Sequence, residues 1–158
     1  MLDIGSGRVT PFLNSQFNEI NPEYSPVGGW LAYTSNESRR EEVYVVVYPG
    51  RSKKVQISID GGNSPLWARD GKQLFYQREA QVWVVGVQAG GSFAAGKPHM
   101  LFDLTGYFRS NPVRGHDLSK DGKRFLMVKA DQRKPTPVTE MTLVVNWFEQ
   151  LKRLVLTR

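Results

Sequence analysis

Tyr24-Ser25-Pro26-Val27-Gly28-Gly29-Trp30-Leu31-Ala32-Tyr33 lines up with Trp67-Ala68-Arg69-Asp70-Gly71-Lys72-Gln73-Leu74-Phe75-Tyr76. Both line up with Leu118-Ser119-Lys120-Asp121-Gly122-Lys123-Arg124-Phe125-Leu126-Met127. The shared glycines Gly28, Gly71 and Gly122 are 43 and then 51 residues apart. Asp-Gly between apolar runs is a strong hairpin signal, because glycine takes the positive φ of a tight turn without steric cost. In the first copy Val27 stands where the others have Asp, so that turn is expected to be the weakest of the three.

Each hairpin is followed by a run rich in β-branched and aromatic residues: Val43–Tyr48, Val82–Val87 and Thr142–Trp147. The first of these is apolar at consecutive positions, the pattern of a strand covered on both faces. Shorter strands are expected at Val55–Ser58 and Met100–Leu104. Four antiparallel strands in a unit of about 40–50 residues is the signature of a β-propeller blade. The expected class is therefore all-β, with about three four-stranded blades. The boundaries read as 1–20, the outer strands of a preceding blade; blades at 21–58, 59–104 and 105–147; and a short C-terminal helix or tail at 148–158.

The units resemble the WD40-like (PD40) repeats of TolB-type propellers, whose hallmark is roughly Asn-Pro-x-Phe/Tyr-Ser-Pro-Asp-Gly-x-x-Ile/Leu-Ala-Tyr. Asn21-Pro22-Glu23-Tyr24-Ser25-Pro26 with Leu31-Ala32-Tyr33 is the best copy; those around Ser64–Gly71 and Asp117–Gly122 are weaker. The ending Leu143-Val144-Val145-Asn146-Trp147 looks like the C-terminus of propellers that follow bacterial kinase or regulator domains. The resemblance implies a scaffold or sensory module, periplasmic or otherwise extracytoplasmic when export is encoded elsewhere. A second reading is the substrate-gating propeller of a prolyl-oligopeptidase-like hydrolase whose catalytic domain lies outside this chain.

Propellers use about 4–8 blades, and 158 residues hold three. A blade buries its faces only against neighbours, so three arrangements are open. The chain is part of a longer protein, two copies complete a six-bladed ring, or an open arc is patched by the terminal helix.

Composition narrows the chemistry. With no cysteine, thiolate metal sites and cysteine nucleophiles are excluded. Only His99 and His116 are present, without a Gly-x-Ser-x-Gly elbow, so a serine hydrolase triad has little support. No sequence pattern points to a metal or a cofactor, and the Gly5-Ser6-Gly7, Gly61-Gly62 and Gly90-Gly91 pairs read as hairpin turns. The expectation is a non-catalytic protein. His116, beside Asp117 on an inner strand, reads either as a tunnel-facing acid–base or ligand contact or as a buried side chain hydrogen-bonded to the next blade. The aromatic residues Trp30, Tyr33, Tyr44, Trp67, Tyr76 and Trp83 are expected to pack one blade on another.

The net charge of +6 is uneven, −1 over residues 1–70 and +7 over 71–158. Strand alternation puts the second-to-third-strand loops and the blade-to-blade connections on one rim. That rim gathers Arg39, Arg40, Arg78, Tyr107, Phe108, Arg109 and Arg114, with further charges at Asp131, Arg133 and Lys134. Arginine with exposed aromatics is the composition of interface hot spots, so the expected partner is a protein or peptide, with self-association to complete the ring. Nucleic acid is disfavoured because no aromatic–basic RNA motif or recognition helix occurs. No apolar run is long enough to insert in a membrane as a helix.

Overall fold

The computed structural model describes residues 1–89, 92–109 and 114–129. Within them the chain is all strand and turn. The first sheet runs β1 (Glu19–Tyr24), β2 (Trp30–Ser35), β3 (Glu42–Val47) and β4 (Lys54–Gln56), antiparallel and in sequence order. The second runs β5 (Asn63–Trp67), β6 (Gln73–Arg78) and β7 (Gln81–Ala89). Its outer edge is shared: β9 (His99–Asp103) pairs with Gln81–Val84, and β8 (Phe93–Ala95) pairs with Val87–Ala89. A third hairpin, β10 (His116–Leu118) with β11 (Phe125–Met127), opens the next unit.

The three repeat turns have one geometry. Gly28, Gly71 and Gly122 have φ of 78°, 70° and 70°. In each, the glycine N–H donates to the residue three back, at Ser25, Ala68 and Ser119, and that residue's N–H donates across the turn to Trp30, Gln73 and Arg124. Asp70 and Asp121 also accept from the N–H of Lys72 and Lys123. Val27 has no such capacity, and its side chain does something else. A Cβ on Gly71 would lie 2.9 Å from Val27 Cγ1, so the Val27 side chain packs on the second turn where Asp70 and Asp121 accept from their own turns.

The sheets are packed in series. Trp30, Ala32, Val43, Val45 and Ile57 of the first meet Trp67, Leu74, Tyr76, Val85 and Val87 of the second. On the second sheet's other face Leu66, Phe75, Val82, Val84 and Leu104 meet Leu118, with Phe125 and Met127 packed alongside. Period-2 alternation thus sends neighbouring residues of β3 and β7 into different cores, as a strand covered on both faces requires. Of the aromatic residues, Trp30, Trp67, Tyr76 and Trp83 pack at the junction between the first and second sheets, whereas Tyr33 and Tyr44 meet within their own sheet, 5.9 Å between centroids, under Phe12.

Two features depart from the expectation. Strand β8 is an additional edge strand: Phe93 is carried over the first junction, 5.0 Å from Trp30 and 6.4 Å from Trp67, which extends the apolar contact. Gly61-Gly62 is not a hairpin turn but part of the connection between sheets. A Cβ at Gly62 would lie 2.5 Å from the Ser58 side chain and 3.0 Å from Tyr76, so the connector passes too close for any other residue. The Gly90-Gly91 turn, the strand at Thr142–Trp147, the Asp131–Lys134 loop and the C-terminal helix lie outside the described residues. The described sheets do not close into a ring.

The leading segment makes a short turn and then packs on the first sheet. Leu2 bridges Val9 around a turn with Gly7 at φ 68°. Phe12 is then buried against Leu31, Tyr33, Tyr44 and Val46, where Ile57 and Leu104 serve the two inner junctions.

Candidate functional site

Strands β1 and β5 run beside each other, Arg69 and Arg114 tie β10 to them, and the repeat explains how. Asn21 and Ser64 both lie seven residues before their turn glycine and both precede proline. Both have positive φ, 55° and 52°, a conformation that pre-proline sterics normally discourage. There the pairing shifts register, and Asn21 Nδ2 donates to Ser64 Oγ at 3.2 Å. The Ser64 N–H donates to Thr34 Oγ1, and Trp67 Nε1 to the Glu23 carbonyl at 3.1 Å. The third copy has Gly115, where a Cβ would lie 2.6 Å from the Phe108 carbonyl oxygen. Glycine here admits the connector.

Arg114 links all three units at this edge. Its Nε donates to the His116 carbonyl (3.1 Å), and its Nη1 to the Pro65 carbonyl (2.8 Å) and Glu23 Oε2 (3.4 Å). Arg69 adds a bond to the Leu118 carbonyl at 3.1 Å. His116 itself is buried beside Phe125, 6.0 Å between ring centroids, and its Nε2 has no hydrogen-bond partner within the protein. Burial, aided by the Arg114 charge, pulls its pKa from the usual 6.5 down to about 4. Asp117 spends one carboxylate oxygen on the Leu118 N–H. The pair is therefore a packed neutral imidazole beside a backbone-bound carboxylate, with no bond to the adjacent sheet through Nε2.

The rim residues divide into two groups. Arg40 is committed: its Nε donates to Glu42 Oε1 (2.7 Å) and its Nη2 to Asp60 Oδ1 (3.0 Å). Glu42 is fully buried and also accepts from the Gly61 N–H and from the Ser58 hydroxyl. Arg78 donates to the Ile59 carbonyl at 3.3 Å and lies over Trp83, 5.1 Å from its ring centroid. Both arginines, from the second-to-third-strand turns, thus reach the connector between sheets, which sits on the same rim. They fasten the rim.

Arg39, Tyr107, Phe108 and Arg109 face solvent. Tyr107 and Phe108 are exposed yet held by main-chain bonds. Tyr107 bridges Lys129, its N–H donates to the Leu104 carbonyl (3.0 Å), and the Phe108 N–H donates to the Val128 carbonyl (2.7 Å). Loops fixed on a rigid scaffold are where recognition residues sit. The Glu42 cluster left no sequence signal, because its burial depends on how residues 58–61 fold back over it. The Asn21/Ser64/Gly115 position did leave one, its fixed spacing from the turn glycine.

No family model matches the chain, and no curated protein does. Among solved structures the chain is similar to one described as a TolB of Agrobacterium tumefaciens, with a TM-score of 0.51 and 24% identity. The match covers 65% of this chain. The fold is TolB-like. The chain spans only 39% of that protein's length, so the TolB-like likeness is one of architecture over part of a larger molecule.

Proposed function

We propose that this TolB-like segment is a non-catalytic recognition module that binds a protein or peptide through the rim of its third unit. The observation that carries the reading is the exposed Tyr107-Phe108-Arg109 step, pinned by main-chain bonds to β11's continuation. Two exposed aromatic rings carried on a backbone held by main-chain bonds, next to a guanidinium, are the makings of an interface anchor. Arg114 is engaged by the His116 and Pro65 carbonyls and Glu23, and His116 is buried beside Phe125, so neither belongs to this step. A TolB-like architecture and the extracytoplasmic setting that the resemblance implies are consistent with a peptide ligand.

The test is selection of peptides from a displayed library on the folded chain, followed by fluorescence anisotropy with the selected sequences. The Tyr107→Ala/Phe108→Ala variant should bind at least tenfold more weakly, about 1.4 kcal/mol, with an unchanged melting temperature. Equal binding by the variant, or failure of any peptide to be selected, overturns the reading.

A further inference from the structure

The two connectors between units differ in charge. The first, between β4 and β5, brings its own acid: Asp60 accepts from Arg40 at 3.0 Å, and the buried Glu42 accepts from the same guanidinium at 2.7 Å. The second, between β9 and β10, carries the cation instead, Arg109 beside the exposed Tyr107 and Phe108. The carboxylate in its field is Asp103, whose Oδ1 is committed to the Thr105 N–H at 2.6 Å. Asp103 is held below the usual carboxylate range chiefly by the Thr105 hydroxyl and N–H, with the Arg109 charge a lesser cause. Arg109 forms no ion pair among the described residues.

A second cation joins it. Tyr107 bridges Lys129 in an antiparallel pair, and residues opposite each other in such a pair turn their side chains to one face, with Cβ atoms about 4.5–5.5 Å apart. Lys129 is exposed and also makes no ion pair among the described residues. The other basic groups of this unit lie elsewhere. Arg114 is paired with Glu23. Lys120 and Lys123 sit in the turn at the far end of the β10–β11 hairpin, where Arg124 is paired with Asp121. The cations thus form separate groups and not the continuous track that a nucleic-acid backbone would follow.

We propose that the partner of this rim is an acidic peptide, with an apolar side chain against Tyr107 and Phe108 and flanking carboxylates on Arg109 and Lys129. The inference rests on the recognition reading above and adds the partner's charge to it. The peptide carboxylates take the part that Glu42 and Asp60 play at the first connector. Opposite charge at a rim contributes selectivity and encounter rate more than raw affinity, while aromatic anchors supply the affinity. Charge preference and salt dependence are therefore the properties that mark this partner.

The composition of peptides selected on the full chain from a random displayed library tests it. They should be enriched in Asp and Glu over the unselected library, and selection on Arg109→Glu/Lys129→Glu should remove that enrichment. By fluorescence anisotropy, a selected peptide should bind about tenfold more tightly than its counterpart with every Asp and Glu changed to Asn and Gln, the worth of two exposed ion pairs. Added salt should close that gap. Arg109→Ala/Lys129→Ala, at exposed positions that leave the thermal melt unchanged, should bind the two peptides alike, whereas Tyr107→Ala/Phe108→Ala should weaken both. Binding through the two rings without a charge preference overturns the acidic partner and leaves the rim reading standing. Binding indifferent to the rings, or no selected peptide, removes that reading and the inference with it. A labelled oligothymidylate that binds more tightly than the selected peptide overturns the proposal in favour of nucleic acid.

Discussion

The two inner junctions come from the same repeat, yet they are held differently. Between the first and second sheets, apolar packing is accompanied by paired polar groups: Asn21 with Ser64, Ser64 with Thr34, and the Trp67 indole with Glu23. Between the second sheet and the third hairpin, the polar bonds run from guanidinium to main-chain carbonyl, Arg69 to Leu118 and Arg114 to Pro65, and the apolar packing is by rings. Phe125 lies edge-on to Phe75 and Phe102, each at 5.1 Å between centroids, with the unpaired His116 nitrogen alongside. A repeat fixes turns and faces; the side chains at each junction set how strongly and under which conditions it holds.

The contrast can be broken most directly by truncating one ring in each junction. Trp67→Ala removes a fully buried indole and its hydrogen bond and should cost about 4 kcal/mol. Phe125→Ala, at a half-buried position, should cost about 2–3 kcal/mol. Urea unfolding of both variants measures the difference, and an equal loss would remove the distinction.

Acid should separate the junctions next. His116 in the folded chain resists protonation down to about pH 4, whereas unfolded it takes a proton near 6.5. The unfolded state therefore binds more protons between those values, and stability contributed by neutral His116 is complete above pH 6.5 and lost as pH falls toward 4. The loss should be about 3 kcal/mol. His116→Gln should flatten this part of the stability-against-pH curve, and an unchanged slope would assign the acid sensitivity elsewhere.

The smallest effect concerns the turns. Gly71→Ala and Gly122→Ala carry the same strain of a positive φ, about 1 kcal/mol. At Gly71 the new methyl also meets Val27, whereas at Gly122 it meets nothing within 4 Å. The Gly71 variant should be the less stable by about a further 1 kcal/mol, read from paired thermal melts. If the two are equal, Val27 yields freely and the turn-to-turn contact contributes little.

Much of this architecture is written locally. A glycine at positive φ between apolar runs announces a hairpin wherever it occurs, which is why three turns and the strands β2, β3, β6 and β7 can be read directly. Strand β8 could not be, because Ser92-Phe93-Ala94-Ala95-Gly96 has no alternation and owes its pairing to Phe93 finding Trp30 and Trp67 across the junction. The rim shows the same limit. Its arginines are visible in sequence, but Arg40's engagement depends on Asp60, twenty positions away, and on a carboxylate buried only after the connector folds. Exposure of Tyr107 and Phe108 was legible as loop placement; their anchoring through Val128 and Lys129 was not.

Arrays of repeats ordinarily communicate only with their immediate neighbours, so end units can fray one at a time. The guanidinium of Arg114 breaks that rule, since it reaches from the third unit past the second to Glu23 on the first, across 91 positions of sequence. Detaching the last hairpin must therefore disturb the first sheet as well. At 3.4 Å between partly exposed groups that tether is worth no more than about 1 kcal/mol, so the coupling is modest, and added salt, by weakening it, should broaden the melting transition as well as lower it.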